Sequence, residues 1–178
     1  AKRIGKYKIS NKESTISLVD GGTTTGVLHP NGGMKCNITA LGDGISEKQL
    51  TPADCGVITI GVVGTETAVS KGYNIDLPAP EAGLHYRIVF VGPSIANNSN
   101  AAITVTSNSD NSSTAANLIV GSVLGNGDDN GANVTSVADI VTFVHNKATA
   151  GDFAELWCDG TNWVLDARYD ADGSITLG

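Results

Sequence analysis

Apolar and polar side chains alternate most clearly at positions 84–91, L-H-Y-R-I-V-F-V. Every second residue is large and apolar, and this two-residue period is typical of a β-strand with one buried face. The opposite face begins with polar His85 and Arg87 and ends with Val89 and Val91, which predicts a strand that runs from the surface into the body of the domain. Aromatic and β-branched residues dominate the segment, as they do in many strands. We interpret it as the central strand of an all-β domain.

Further apolar or β-branched runs, separated by turns rich in Gly, Asn and Asp, predict additional strands. The clearest pair is residues 153–158 and 163–167, which flank an Asp-Gly turn and predict a hairpin. Residues 47–50 allow no more than one helical turn, because Pro52 interrupts the segment. The polar residues 169–178 are expected to form a tail. The other predicted strands are residues 36–41, 57–63, 73–77, 102–107, 118–124 and 137–145, the last of which could also be a short helix.

The composition supports the same fold class. The 178 residues include 22 glycines and few aromatic side chains, and good helix formers are sparse. With turns every ~8–12 residues, this favours an all-β fold: a β-sandwich, a jelly roll or a small barrel. We predict a β-sandwich or jelly-roll-like domain over residues 36–178. Residues 1–35 contain no clear element and are predicted to form an extended basic arm, which could add a strand to a neighbouring molecule.

Charge is distributed unevenly along the chain. Residues 1–12 hold five basic side chains and no acid, while the remaining 166 residues hold six basic and eighteen acidic side chains, a net charge of −12 within an overall charge of −7. A basic arm on an acidic body is typical of an interaction tail, although a solvated, frayed terminus is the simpler alternative. The acidic body would repel phosphates, and no basic, aromatic-rich strand offers a stacking platform, so we expect no nucleic-acid partner. We expect the arm to meet an acidic protein surface.

The reactive residue types form none of the familiar catalytic or metal-binding motifs. His29, His85 and His145 are far apart, and neither H-E-x-x-H nor C-x-x-C occurs, so no metal or other cofactor is predicted. There is no G-x-S-x-G elbow. Cys158 lies between two tryptophans in the predicted hairpin, and we interpret it as a small buried hydrophobe and not as a nucleophile. Residues 170–173, D-A-D-G, resemble part of a calcium loop but lack its other ligands, so a turn is the simpler interpretation.

The cysteines and the hydropathy pattern bear on where the chain is made. Three widely spaced cysteines argue against a disulfide framework and favour synthesis in a reducing cytoplasm. No apolar run approaches the ~20 residues that span a bilayer, and the N-terminal region lacks the apolar core of a secretory signal. We therefore expect a protein made in the cytoplasm of a host cell, with no membrane partner.

Several short segments together resemble a recurrent pattern in tailed-phage virion proteins. Residues 50–56, L-T-P-A-D-C-G, are similar to a motif that reads roughly L-T-x-A-D-S-G, with Cys55 where serine is usual. The L-P-A step at 77–79 and the A-G-L-H-Y step at 82–86 follow in the same order. The G-D step at 151–152 and the segment C-D-G-T-N-W at 158–163 resemble the closing hairpin of these proteins. The resemblance covers about residues 50–168.

The resemblance implies a structural protein of the virion, and the size of the chain favours a capsid decoration (cement) protein over a long-shafted fibre. Similar decoration proteins commonly form homotrimers on the capsid surface, and their natural partner is the major capsid protein. The first alternative is a tail or fibre component that binds host surface glycans through Asn, Ser and Thr loops. The second is an enzyme such as a polysaccharide depolymerase, for which the chain offers no catalytic constellation, so we predict no enzymatic activity. The expected capsid-binding residues are Lys2, Arg3, Lys6, Tyr7, Lys8 and Lys12.

Overall fold

The computed structural model describes residues 37–42, 47–61, 72–92, 95, 101–107, 118–125 and 136–178. These residues form mainly β-strands and turns, with a 3₁₀ turn at Pro52–Asp54. The predicted all-β fold class is confirmed. The predicted arm, residues 1–35, lies outside the described residues, so the division of the chain into arm and domain stays a prediction. No helix in the described part of the chain has the length and apolar character that crossing a bilayer requires.

Within these described residues, twelve strands form two mixed sheets. In spatial order, the seven-stranded sheet contains β1 (Asn37–Leu41), β3 (Gly56–Ile60), β5 (His85–Phe90), β10 (Phe153–Cys158), β11 (Trp163–Tyr169), β7 (Ile119–Gly125) and β8 (Ser136–Ala138). The five-stranded sheet contains β12 (Ile175–Leu177), β9 (Ile140–Phe143), β6 (Ile103–Thr106), β4 (Asn74–Asp76) and β2 (Glu47–Gln49). The predicted central strand, β5, therefore lies in the interior of the larger sheet, between β3 and β10.

The first seven strands alternate between the two sheets. Strands β1, β3 and β5 are parallel neighbours in one sheet, and β2, β4 and β6 are parallel neighbours in the other. Parallel neighbours cannot be joined by a tight hairpin. Here each connection includes a strand of the opposite sheet, so the chain winds around the core as it builds both layers together.

The C-terminal half of the chain uses mainly antiparallel pairing. Strands β10 and β11 form the predicted hairpin, with Leu156 opposite Leu165, and β10 also pairs antiparallel with β5. In the smaller sheet, β9 pairs antiparallel with β6 and with β12. Strand β11 is parallel to β7, so the larger sheet mixes both orientations. These pairings attach the last third of the chain to both layers.

A single hydrophobic cluster lies between the two sheets. Tyr86, Ile88 and Phe90 of β5 are fully buried, as the alternation at 84–91 predicts. The smaller sheet contributes its own buried side chains, among them Val105 and Phe143. Two layers that bury their inner faces in a shared core form a sandwich-like arrangement.

Several sequence-based expectations were wrong in detail. The outward face of β5 does not run into the body, because Val91 is 51% exposed. Residues 47–50, which the sequence limits to one helical turn at most, contain a strand that was not predicted: β2, which pairs with β4. Residues 137–145 hold two strands, β8 and β9, which are interrupted at Asp139 and join different sheets. The polar tail contains the three-residue strand β12, which is stabilised by pairing with β9 although it has few apolar residues of its own.

Two glycines allow a test of the strand packing. Both lie in the segments that resemble virion proteins (the phage-like segments), Gly56 in residues 50–56 and Gly83 in residues 82–86. Gly56 has a φ of +130°, and a Cβ there would lie 2.5 Å from the carbonyl oxygen of Asn37 on β1. Gly83 also has a positive φ, +92°, but a Cβ there would meet nothing within 4 Å. Because Gly56→Ala combines backbone strain with a clash against β1, we expect it to lower the free energy of unfolding by about 2–4 kcal/mol. Gly83→Ala, which adds strain alone, should cost about 1–2 kcal/mol.

Urea denaturation of both variants measures the difference. Equal losses would contradict the close approach of β1 and β3 at Gly56.

Candidate functional site

The residues expected to bind the capsid lie outside the described part of the chain. This applies to the whole set: Lys2, Arg3, Lys6, Tyr7, Lys8 and Lys12. Their expected role therefore stays a prediction. The described domain presents three other candidate regions: the place where the phage-like segments meet, and the outward faces of the two sheets.

The phage-like segments come together at one end of the larger sheet. Tyr86, in the second segment, donates a hydrogen bond of 2.8 Å from its hydroxyl to the backbone carbonyl of Thr51, in the first. Its ring packs against Trp163, in the third, with 5.7 Å between ring centroids. We call this meeting of residues 50–56, 82–86 and 158–163 the junction. Segments that are far apart in sequence are thus parts of one packing unit.

The first segment forms a turn that Thr51 and Asp54 hold in place. The Asp54 carboxylate accepts hydrogen bonds from the Thr51 backbone N–H at 2.9 Å and from its hydroxyl at 2.7 Å. Burial opposes ionisation of Asp54, but the bonds from Thr51 and the charge of Lys48, 3.5 Å away, outweigh it and hold the pKa of Asp54 below its ordinary value. The T-P-A-D sequence therefore encodes a capped 3₁₀ turn.

The hairpin loop closes against the second segment. The backbone N–H of Gly83 donates to the Cys158 carbonyl at 3.0 Å, and that of Cys158 donates to the Leu84 carbonyl at 2.9 Å. Within the loop, one carboxylate oxygen of Asp159 accepts from the backbone N–H groups of Thr161 and Asn162, both at 2.7 Å. These two bonds lower the pKa of Asp159. The Asp-Gly turn is thus held by its own aspartate, as is common in such loops.

Asp152, of the G-D step, is a buried structural carboxylate. It accepts hydrogen bonds from the Thr149 backbone N–H at 2.8 Å and from the Asp170 backbone N–H at 3.0 Å. Its own carbonyl accepts from the N–H of Phe90 at 2.8 Å. It therefore connects the turn before β10 to the ends of β11 and β5. A shallow depression of about 280 Å³ lies beside it, between Ala150 and Asp170.

The side chains at the junction have structural roles and do not form a nucleophile–base pair. Cys158 is buried, as expected, and points into the core. His85 lies on the opposite face of the sheet, so the backbone separates the imidazole from the thiol. Burial, followed by interactions with Cys55, raises the pKa of the Tyr86 hydroxyl, which keeps it protonated as a donor. Among the described residues, no three His, Cys, Asp or Glu side chains are grouped in a way that could hold a metal ion.

The outward face of the larger sheet carries a continuous chain of interacting side chains on β5 and β10. The imidazole of His85 stacks on the indole of Trp157, with centroids 5.4 Å apart and planes 5° from parallel. Glu155 accepts from His85 Nε2 at 2.8 Å and from Arg87 Nη1 at 2.9 Å. The Arg87 guanidinium lies over the Phe153 ring at 4.1 Å. We call these five residues the outer ladder.

The outward face of the smaller sheet is polar and contains an acidic pair. Asn74 accepts hydrogen bonds from the hydroxyls of Thr104, at 2.8 Å, and Thr106, and donates to the carboxyl of Asp76. Asp76 is 2% exposed and hydrogen-bonds to the side chain of Glu47 on the edge strand β2. Burial, then the hydrogen bond and charge of Glu47, raises the pKa of Asp76 to about 6 against the opposing effect of Asn74. The two carboxyl groups can share one proton near neutral pH.

The sequence analysis singled out the residues of the junction by their resemblance to virion proteins, which stays a prediction, and missed both outward faces. The outer ladder depends on the register that places Trp157 opposite His85 and Glu155 opposite Arg87. The acidic pair depends on the parallel pairing of β2 with β4. The charged Glu155 between the apolar Ala154 and Leu156 was a usable signal for an outward face, but it does not reveal which strand lies beside it.

No protein-family model, curated protein or solved structure matches this chain.

Removing the hydroxyl at the centre of the junction should weaken the fold by a measurable amount. Tyr86→Phe keeps the ring against Trp163 but leaves the Thr51 carbonyl without its donor. We expect the free energy of unfolding to fall by about 1–2 kcal/mol, measured by urea denaturation. Tyr169→Phe, at a partly buried tyrosine at the end of β11, is the matched control and should change it by less. Equal effects would contradict the special role of the Tyr86 bond.

The acidic pair predicts an unusual pH dependence of stability. Because the folded-state pKa of Asp76 is raised from 3.8 to about 6, its favourable contribution is complete below about pH 4 and is lost as the pH rises through 6. Relative to Asp76→Asn, the wild-type chain should be on the order of 2–3 kcal/mol less stable at pH 7 than at pH 4.

Asp54→Asn is the control of opposite sign. The pKa of Asp54 is lowered, so its contribution is present at neutral pH and is lost on acidification. Urea midpoints between pH 3 and pH 7 give both comparisons. A pH-independent difference between the wild-type chain and Asp76→Asn would refute the assignment of the shared proton.

Proposed function

We propose that this chain is a non-enzymatic structural protein of a tailed-phage virion, a decoration protein that binds the outer surface of the assembled head. In this proposal a jelly-roll-like domain faces outwards, and the basic arm, residues 1–35, binds the major capsid protein. The protein self-associates, as a homotrimer if the resemblance extends to oligomeric state. A protein that binds only the assembled shell stabilises it by mass action.

The observation that carries the proposal is the junction. The segments that resemble virion proteins are not scattered coincidences, because Tyr86 connects the first to the second and the hairpin bonds connect the second to the third. Three residues of the pattern have a structural role: Asp54 caps a turn, Gly56 allows β1 to approach, and Asp159 closes the hairpin. A pattern that encodes a packing unit supports kinship of fold with those proteins and assigns no reactive role to its residues.

The charge distribution supports the role of the arm. Residues 1–12 carry five cations and no acid, whereas the rest of the chain has a net charge of −12. Such an arm is attracted to acidic surfaces over distances of about a Debye length, ~8 Å at physiological salt. Docking of the acidic body itself on an acidic shell would be repulsive, so attachment through the arm is the favourable route.

Immunogold electron microscopy of phage particles, with antibody raised against this chain, tests the assignment. Even labelling over the head is the expected result. Labelling confined to the tail would replace the proposal with the host-binding alternative, and the next experiment would be binding of the free protein to host polysaccharide. Particles without label would refute a place in the virion.

Attachment through the arm predicts how much capsid binding should weaken when residues 1–12 are deleted. If each cation contributes roughly 0.5 kcal/mol, deleting residues 1–12 should weaken binding to undecorated capsids on the order of tenfold to a hundredfold. Sedimentation of capsids with bound protein measures the occupancy, and urea denaturation checks that the β domain remains folded. Binding should also weaken with added salt, and the deletion should flatten that dependence.

Lys147→Ser is the matched control, because it removes an exposed cation from the described body, between β9 and β10. It should leave occupancy within about twofold of the wild-type value, since one surface charge away from a contact has little effect. Unchanged occupancy after deletion of residues 1–12 would refute anchoring by the arm.

A further inference from the structure

Exposed apolar side chains are concentrated on one face of the molecule. Of the six large hydrophobic residues exposed in the described part of the chain, five point outwards from the larger sheet. An apolar patch of this kind is typical of an interaction surface, whereas single exposed hydrophobic residues are common everywhere. The five are Ile38 (65% exposed), Val164 (44%), Val120 (42%), Trp157 (40%) and Leu124 (39%).

Strand register places several of these residues side by side. Trp157 lies opposite His85 on one side and Val164 on the other, and Val164 lies opposite Val120. The row therefore crosses four adjacent strands, β5, β10, β11 and β7. One face of the Trp157 indole is already covered by the His85 ring. This leaves less flat aromatic surface for a sugar ring and favours a partner that covers the row as a whole.

The charged side chains of the same face are paired with one another. Arg87 bonds to Glu155 at 2.9 Å, and Arg168 lies 3.4 Å from Asp166. Two arginines and two carboxylates give the face no net formal charge, on a chain whose overall charge is −7. A partner that covers the face would therefore not have to bury an unpaired charge, which is the most costly outcome for an interface.

The smaller sheet presents a contrasting outward face. Register aligns Asn74, Thr104, Thr142 and Thr176 across four adjacent strands. These side chains are polar, and the hydroxyl of Thr104 bonds to its neighbour Asn74. Thr104 and Thr142 are partly exposed and Thr176 is exposed. The accessible part of this row is therefore polar, in contrast to the apolar row on the larger sheet.

The size of the outer face suits a stable interface. The sheet without its short edge strand β8 has six strands about 4.8 Å apart, each of about six residues, which gives a surface of about 25 by 20 Å. With side chains projecting from it, such a surface approaches the roughly 800 Å² per partner of a standard interface. Two sheets that pack face to face bury such surfaces at a separation of about 10 Å.

We propose that two copies of this chain dock through the outward faces of their seven-stranded sheets. A second copy is the partner that the charges favour, because an acidic or a basic partner would favour a face of opposite net charge and this face is neutral. Arg87 and Glu155 lie opposite each other on neighbouring strands. A two-fold axis that runs parallel to the strands, above the line between β5 and β10, places β5 of each copy over β10 of the other. It therefore sets Arg87 of each copy against Glu155 of the other.

This inference rests on the proposed function only in that it names the partner in self-association, and it can fail independently. A self-complementary face joins copies in pairs and predicts a dimer of the free chain, in place of the homotrimer that the resemblance implies. The test uses free protein, so its outcome is separate from labelling or occupancy of capsids.

The first experiment measures the mass of the chain in solution. Light scattering after size exclusion, over a series from about 1 to 100 µM, should show twice the chain mass at the upper end. Val164→Lys introduces a charge into the apolar row and should weaken dimerisation at least tenfold. Thr176→Lys, on the outward face of the smaller sheet, is the matched control and should leave it unchanged. Both positions are exposed, and urea denaturation should confirm that both variants fold.

The second experiment uses the symmetry of the contact. Arg87→Glu and Glu155→Arg should each remain monomeric, because like charges then oppose one another in a homodimer. An equimolar mixture of the two variants should recover a dimer, since each altered side chain then meets its opposite charge. A partner of a different kind would not produce this rescue.

The outcomes are decisive for the proposal. A dimer that Val164→Lys disrupts, together with rescue in the mixture, supports it. A monomer at all concentrations, a trimer, a dimer that Val164→Lys leaves intact, or a mixture that stays monomeric overturns it.

Discussion

The hydroxyl of Tyr86 holds together parts of the chain that no local interaction would bring into contact. Its ring is fully buried on the inner face of β5, against Trp163, while its oxygen reaches the Thr51 carbonyl at the entrance to β3. Strand β5 lies between β3 and β10. Tyr86 therefore contacts both the turn that precedes β3 and the β10–β11 hairpin. Tyrosine suits the position, since it combines a large apolar body with a polar end.

The same strand explains why the two faces of the larger sheet have different chemistry. Alternation along β5 and β10 directs Tyr86, Ile88 and Leu156 into the core and sends Arg87 and Glu155 outwards. On the inner face, apolar side chains pack closely in the core. On the outer face, charged side chains form ion pairs and rings stack, while several apolar side chains stay exposed to solvent. The smaller sheet places hydroxyl groups at the equivalent outward positions, so the outward faces of the two sheets differ in chemistry.

Sequence reasoning succeeded where the signal was local and failed where it depended on pairing. The alternation at 84–91 identified β5, and the Asp-Gly turn identified the β10–β11 hairpin, because each is encoded within a few residues. Strands β2 and β12 were missed because three-residue strands have no period of their own and are stabilised by their neighbours. The acidic pair and the outer ladder were missed for a related reason: Asp76 and Glu47, or Glu155 and His85, become neighbours only through register. The phage-like segments were recognised as pieces, but their common packing around Tyr86 could not be read from their spacing.

The winding of the first seven strands between two sheets has a consequence for how the protein reaches its native state. Among β1 to β6, neither layer grows by adding consecutive strands, since each neighbour in a sheet follows a strand of the other sheet. Contacts are therefore mostly between residues distant in sequence. Such topologies fold slowly, because the entropy of closing long loops is lost before the contacts that offset it can form. Nucleation must involve both layers at once, and a partial layer would expose unpaired edges that invite association with other chains. We therefore expect this chain to fold cooperatively but slowly, and to be prone to aggregation while it folds.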